Sequence, residues 1–289
     1  LLSIVLFLAA CELTVVVDLP EQEPKLVINS LYSKDSTWVV NLTLSKGMYD
    51  TSWTYQPVSN AQVRLFKDGN WLQDLSYDAV AQAYTSNNNL PEPGAAYRLE
   101  VTAPGFSGTI SADDTLPQTV PIHSLEFQRD AWQKNGKFMS DLKIRFQDPA
   151  GWQYYALELY ALDTLGGNVW LSPCFTSDDP VFNQGSIGGP VAGNDNEYCE
   201  RVYFSDQLIG GKDYTLKISI NSENLEYSQF IVVVLYSLSR NYYYYNISRD
   251  LQFDTKYNPF AEPVMVFSNI QNGLGIFGGY SLSYSIQPL

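Results

Sequence analysis

The chain reads as a mainly β protein: an immunoglobulin-like β-sandwich followed by a second, larger antiparallel β-sandwich with one short helix. Three observations predict it. Apolar and polar residues alternate along most segments, the period of a half-buried strand. Gly, Pro, Asn and Asp punctuate those segments at short intervals. Helical periodicity stands out once. The 289 residues suit two domains, and a hydrophobic content of 45% supports packed cores.

Leu1–Leu8 precedes any strand and is too short for a bilayer, which takes roughly 20 apolar residues. It has the length of a signal-peptide core and runs into Leu8-Ala9-Ala10-Cys11, which looks like a bacterial lipobox. Cleavage there leaves Cys11 first, its sulfur carrying a diacylglyceryl group. A charged n-region and initiator Met are missing before Leu1, so residues 1–10 read as a truncated leader. A buried N-terminal strand is the other reading. Residues 11–24, with Glu12, Asp18, Glu21, Glu23, Pro20 and Pro24, read as an acylated tether. Its reach is at most ~45 Å, at ~3.5 Å per residue.

From Lys25 the alternation begins. Trp38, Val40, Leu42 and Leu44 alternate with Val39, Asn41, Thr43 and Ser45; Ala61, Val63 and Leu65 with Gln62 and Arg64; Tyr97, Leu99 and Val101 with Arg98, Glu100 and Thr102. Asp68-Gly69, Asn87-Asn88-Asn89, Pro93-Gly94 and Pro104-Gly105 supply turns. Short strands at this spacing over residues 25–116 predict the immunoglobulin-like sandwich, without the Cys…Trp…Cys spacing of antibody domains. Pro117 and Pro121 make 116–121 a stiff boundary. In residues 122–289 Leu142, Ile144 and Phe146 alternate with Lys143, Arg145 and Gln147. The Asp148-Pro149-Ala150-Gly151 turn leads into a strand over Trp152–Tyr160. Tyr214–Ile220 and Phe230–Tyr236 follow, the second buried on both faces. Leu238, Tyr242, Tyr245 and Arg249 at i, i+4, i+7 and i+11 predict the helix near 237–251.

Thirty-one acidic against 17 basic residues give a net charge of −14. That field repels phosphate backbones and argues against nucleic acid as a partner. It also offers no polybasic patch for anionic lipid, so membrane attachment is expected through acyl chains on Cys11. Cys174 and Cys199 then remain. An oxidising envelope predicts a disulfide between them, worth roughly 3 kcal/mol for such a loop. A metal site is the sharper alternative, but neither a CxxC nor a nearby His supports it.

Gly273-Leu274-Gly275-Ile276-Phe277-Gly278 spells GxGxxG. The dinucleotide fold needs a helix after it and an acid about 20 residues on, whereas Gly279–Leu289 reads as a strand and holds no Asp or Glu. These glycines are expected to allow a bulge or close backbone approach instead. A Ser-His-Asp triad would have to use His123, the single histidine, which reads as a boundary residue. Asp113-Asp114, Asp178-Asp179 and Asp195/Glu197 could serve glycoside hydrolysis, but adjacent acids are common in so acidic a chain. We expect no catalytic residue, metal or cofactor.

The 21 Tyr, 14 Phe and 6 Trp are a stronger signal. Much of this is core. Tyr49, Trp53 and Tyr55 lie on the loop Gly47–Tyr55 between strands, where rigid aromatics favour protein or sugar contact; a satellite cluster folded back on the sandwich is the competing reading. Trp132, before Asn135-Gly136, is a second candidate contact. The polar, Gly-rich insert 172–200, pinned by its two cysteines, suggests a presented surface.

Tyr257-Asn258-Pro259-Phe260-Ala261-Glu262-Pro263-Val264-Met265-Val266-Phe267-Ser268-Asn269-Ile270, continuing through the glycine run to Tyr280, resembles the signature ending of an envelope lipoprotein family, domain of unknown function 4249. The Tyr-rich helix, the Asp-Pro-Ala-Gly turn and Asn60-Ala61-Gln62-Val63 resemble it too. The resemblance implies a lipoprotein of the outer membrane of a Gram-negative bacterium, encoded beside TonB-dependent receptors, and carries no catalytic residues. The expected function is therefore a non-enzymatic accessory of a TonB-dependent nutrient uptake system. It would be anchored through Cys11, face the cell surface, and capture a small nutrient or glycan or dock on the receptor. A structural or assembly subunit of an outer-membrane complex is the alternative, and a carboxylate-dependent glycan hydrolase a third.

Overall fold

The computed structural model describes residues 23–47, 50–163, 169–182, 197–199, 201–255, 262 and 264–289. Seven strands come first: β1 (Leu26–Tyr32), β2 (Trp38–Leu44), β3 (Gln62–Lys67), β4 (Asn70–Asp78), β5 (Ala83–Ser86), β6 (Ala96–Thr102) and β7 (Ile110–Thr115). After the proline boundary come β8 (Ile122–Lys134), β9 (Lys137–Gln147), β10 (Tyr154–Asp163), β11 (Val169–Leu171), β12 (Phe175–Thr176), β13 (Glu197–Tyr198), β14 (Val202–Ser205), β15 (Asp213–Asn221) and β16 (Ser228–Leu238). The chain ends with α1 (Arg240–Thr255) and β17 (Leu274–Pro288). The protein is mainly β, as its alternation predicts.

Two sheets result. The first has twelve strands, eleven in the order β11-β10-β16-β17-β1-β2-β5-β4-β3-β6-β7 and β14 added beside β10; the second is β13-β12-β15-β9-β8. Asp68 and Gly69 both take positive φ, the geometry that closes the β3–β4 hairpin, and Asn135-Gly136 does the same for β8–β9.

The alternating residues form two cores. Leu26, Ile28, Trp38, Val40, Leu42, Val63, Leu65, Tyr97, Leu99 and Val101 pack in the first. In the second, Leu142, Ile144, Phe146, Leu216 and Ile218 of the five-stranded sheet meet Tyr155, Leu157, Leu159, Ile231, Val233 and Leu235 of β10 and β16. Residues 116–121 are fastened to both. Leu116 is buried in the first cluster and Val120 in the second. Ser281 and Ser283 on β17 donate to the Pro117 and Val120 carbonyls at 2.7 Å.

β17 serves both halves. Its first residues pair parallel with β1, from Val27↔Leu274 to Tyr32↔Gly279, and its remainder pairs antiparallel with β16. Ile270 and Phe277 pack in the first core, although they lie within the stretch read as the second domain. The glycines have the expected role. Gly275 has φ +105°, and a Cβ there would overlap the Ile28 carbonyl oxygen and lie 2.8 Å from its carbon. A Cβ at Gly279 would meet the Tyr32 ring at 3.0 Å.

The helix starts at Arg240 rather than near 237, because Ser237 and Leu238 still pair with β17 and Ser239 caps it, its Oγ accepting the Tyr242 N–H at 3.2 Å. Tyr242 is buried on the outer face of the twelve-stranded sheet together with Ala156, Val234, Tyr236 and Leu238. β16 is thus buried on both faces only under α1, while Phe230 at its start is exposed. The insert also differs from a wholly presented loop. Phe175, Val181, Phe182 and Tyr198 are core residues, and residues 183–196 and 200 lie outside the described residues.

A buried carboxylate clasps the halves. Asp114 on β7 accepts from the Gly279 N–H at 2.7 Å and from Asn241 Nδ2 at 2.9 Å. Burial pushes its pKa up to about 6, against the lowering effect of hydrogen bonds from Ser239, Gly279, Thr115 and Asn241.

Two outcomes follow from these contacts. Gly275→Ala should cost more than about 3 kcal/mol in denaturant unfolding, from φ strain plus overlap. Gly47→Ala, with nothing within 4 Å of its Cβ position, should be near neutral. Asp114 holds its proton more tightly folded than unfolded, so its contribution favours folding most below pH ~4 and declines as pH rises to ~6, by roughly 2–3 kcal/mol. Asp114→Asn should remove that part of the stability–pH curve; an unchanged slope would contradict the clasp.

Candidate functional site

The five-stranded sheet turns its polar face outward, and there a groove of about 1080 Å³ opens. Trp132, Lys134, Asp141, Asp178, Asp179 and Lys217 are among its lining residues. A bulge in β8 aims the tryptophan. Gln128 pairs with Asp141 and Trp132 with Met139, so Arg129, Asp130 and Ala131 together oppose Ser140. Asp130 takes φ +49°, and its N–H donates to Ser140 Oγ at 3.2 Å. Bulges re-aim side chains in this way beside functional surfaces.

Asp141 then locks the indole. Its Oδ1 accepts from Trp132 Nε1 at 2.9 Å and Ser219 Oγ at 2.7 Å; its Oδ2 pairs with Lys217 Nζ at 2.8 Å. Burial by itself would raise the Asp141 pKa, but the hydrogen bonds from Lys217, Ser219 and Trp132 outweigh it and hold the carboxyl below its ordinary value. The result is a tryptophan fixed by its N–H with the ring 40% exposed.

The opposite wall comes from the segment after β12. Asp179 Oδ1 accepts from Tyr214 Oη at 2.5 Å and the Val181 N–H at 3.2 Å, and Ser177 Oγ donates to the Lys217 carbonyl at 2.6 Å. Asp178 is exposed in the groove. The Cys174–Cys199 disulfide forms one step from Phe175↔Tyr198 and ties this wall down. An aromatic plate, a free carboxylate and an ammonium can grip a polar ring-shaped ligand by stacking and hydrogen bonding. Among the described residues no group of three or more His, Cys, Asp and Glu could hold a metal ion.

Of the aromatics read as contacts, Trp132 lies in this groove and Trp53 and Tyr55 do not line it. Trp53 is 97% exposed, and Tyr55 carries Lys46 Nζ 4.3 Å above its ring. The Lys46 ammonium also donates to Ser52 Oγ at 3.0 Å, which shapes the loop. Cys11 and Tyr49 lie outside the described residues. His123 is exposed on β8. Of the acid pairs, Asp113 faces solvent against Arg98 while Asp114 is buried. Asp141, Lys217 and Ser219 escaped the sequence reading, because only strand register brings β9 and β15 under Trp132.

A second surface lies on the outer face of the twelve-stranded sheet beyond α1. Trp170, Phe230, Tyr284 and Ile286 are all exposed there. Register places them in adjacent rows: Leu162 opposes both Trp170 and Phe230, Val232 opposes Ile286, and Val234 opposes Tyr284. Between these rows and α1, Glu158 pairs with Arg201 at 2.8 Å and accepts from Tyr236 Oη at 2.8 Å.

Fold and site define a mainly β protein with a rigid aromatic groove on one sheet and an apolar patch on the other. The model for "Domain of unknown function (DUF4249)" matches residues 12–284, and the chain belongs to that family. No curated protein matches it. A crystal structure of a DUF4785 family protein from Legionella pneumophila is 9% identical with a TM-score of 0.26, covering 73% of this chain and 52% of its own. The chain thus spans about half that protein's length, and a likeness so low carries no argument. Among the described residues no helix is long and apolar enough to cross a membrane, which leaves strands unaddressed.

Because the Asp141 pKa is lowered on folding, its bonds stabilise at neutral pH and are lost as pH falls through the folded-state value. Asp141→Asn should release Trp132 at pH 7, broadening its indole N–H signal in NMR spectra. The wild type should show the same broadening only in acid.

Proposed function

We propose that this chain is an accessory lipoprotein of the outer membrane that captures a glycan-class ligand on the Trp132 groove, without catalysis, for a TonB-dependent uptake system. One observation carries the proposal: an exposed tryptophan held rigid by a buried-side hydrogen bond to Asp141, beside Asp178 and Lys217. Rigid aromatics present large contact area at small entropic cost. With Asp141 and Asp179 engaged by strong donors, Asp178 stands without a second available carboxyl among the described residues of the groove, and glycoside hydrolysis uses a pair, which favours binding. The lipid anchor at Cys11, the envelope location and the receptor partner rest on the leader sequence and the family's character. An immunoglobulin-like sandwich over 25–116 is supported by seven short strands sharing one core.

A docking or assembly role is the second reading, favoured by the uncovered rows of Trp170, Phe230, Tyr284 and Ile286. Contiguous exposed apolar surface commonly marks a protein interface.

Calorimetric titration with a panel of oligosaccharides separates the two. Trp132→Ala should reduce saccharide affinity by about tenfold or more, since a stacking hot spot is worth ≥ ~2 kcal/mol, while leaving the melting temperature unchanged. Equal affinity in that variant defeats the capture reading. Loss of a co-purifying receptor on Ile286→Lys, with saccharide binding intact, would mark the docking face.

A further inference from the structure

We propose that a second pocket, between the turn at 148–152 and the turn at 206–211, binds an organic cation: an alkylammonium or guanidinium group held between Asp206 and the face of Trp152. The pocket measures about 510 Å³ and is lined by residues of those two turns. It lies outside the Trp132 groove and shares no lining residue with it.

The frame is rigid. The Asp206 N–H donates to the Gln153 carbonyl at 3.1 Å, the Ile209 and Gly210 N–H groups donate to the Asp206 carbonyl, and the Asp148 N–H donates to the Lys212 carbonyl at 2.9 Å. Gly151, Gly210 and Gly211 take the positive φ values that such tight turns need. Asp148 is spent within this frame. Its Oδ1 accepts from Tyr155 Oη at 2.5 Å and its Oδ2 from the Gly211 N–H at 2.6 Å.

Asp206 is the anomaly. It is only 3% exposed, and its Oδ1 has no hydrogen-bond partner. Burial raises its pKa and the Asp148 charge adds to that, against a lowering backbone bond from Gln153. Neither carboxylate is in an ion pair among the described residues. A buried acceptor left unpaired beside a second acid is costly, and a cation relieves both penalties at once.

Trp152 identifies the kind of cation. It is 70% exposed at the pocket's rim, an indole that covers nothing in the core. Cations bind over such a face, most strongly for tryptophan among the aromatic side chains. A hard metal ion would instead want six or more oxygen ligands. Both Asp148 oxygens already accept hydrogen bonds, and no cluster of three metal-ligating side chains exists among the described residues. An ammonium or guanidinium needs one carboxylate and one ring.

Calorimetric titration of the full chain with putrescine, with N-acetyl-lysine amide and with calcium chloride tests the assignment. The wild type should bind at least one of the two amines. Asp206→Asn should weaken that binding about tenfold or more and Trp152→Ala severalfold. Trp152→Ala removes an exposed side chain and should melt with the wild type, so a folding failure in Asp206→Asn would not mask the result. Binding of putrescine alone points to free amines, and binding of the capped lysine points to basic side chains of a polypeptide. No heat with either amine, undiminished affinity in both variants, or binding of calcium alone would overturn the proposal.

Discussion

A single strand joins the two halves of the twelve-stranded sheet, and most of the architecture follows from that constraint. β17 reaches back to lie parallel to β1, at the other end of the chain, before continuing along β16. The first core depends on it. Phe277 stacks on Tyr32 with ring centroids 4.8 Å apart, and Tyr32 in turn packs on Trp38 and Tyr97. Such pairing requires that nearly the whole chain be synthesised and its loop closed before the contact is rewarded, a slow, non-local step. Glycine is the condition for it. Where β17 crosses Ile28 the backbones are too close for any Cβ, and beside Tyr32 a Cβ would fit only if the ring gave way. The letters that mimic a dinucleotide motif are there for strand packing.

Two aspartates show how environment, rather than residue type, sets the outcome. Asp114 sits where β7, β17 and the start of α1 converge, and its partners are neutral amides and a hydroxyl. They offset only part of the burial penalty, which holds the carboxyl's pKa up at about 6. Asp141 is as little exposed but faces an ammonium as well as two neutral donors. There the partners win, and the carboxyl stays charged well into acid. The first group fastens the halves and the second fastens the exposed Trp132. Acidification therefore acts on the two oppositely, favouring the clasp and loosening the tryptophan.

The sequence made some of this legible and concealed the rest for physical reasons. β2, β3, β6, β9 and β15 each bury one face against one core, so period-two alternation identifies them and most of their apolar residues are buried, with Phe138 on β9 an exposed exception. β4 is a poorer reading, since Gln73 puts a polar side chain at a buried position and Leu72 falls out of phase with Leu75 and Tyr77. β8 reads badly because its bulge adds residues that belong to neither face. A strand was legible from Gly279 onward; its parallel partner was not, because pairing between chain ends leaves no local pattern. Trp132 could be picked out as an aromatic near a turn. Its supporting acid, ammonium and hydroxyl could not, since they come from two other strands and meet only through register.

The distribution of aromatics bears on whether the proposed capture groove and the apolar rows could be occupied together. The groove and the apolar rows lie on opposite sides of the second core: Asp141, Lys217 and Ser219 point outward from β9 and β15, while Phe230, Tyr284 and Ile286 point outward from β16 and β17. Between them lies a layer of fully buried Leu, Ile and aromatic side chains, packed at a density that leaves little room for independent movement of either sheet. On the side of the apolar rows, tyrosines carry the transition from dry to wet. Tyr236 is nearly buried yet keeps its hydroxyl on Glu158 and its ring under Arg201, whose guanidinium carbon lies 4.1 Å from the ring centroid. An ion pair framed in this way marks where the helix-covered half of the face ends and the open half begins. A ligand on one sheet and a partner on the other would therefore not compete for surface, and the core between them would hold both in fixed register.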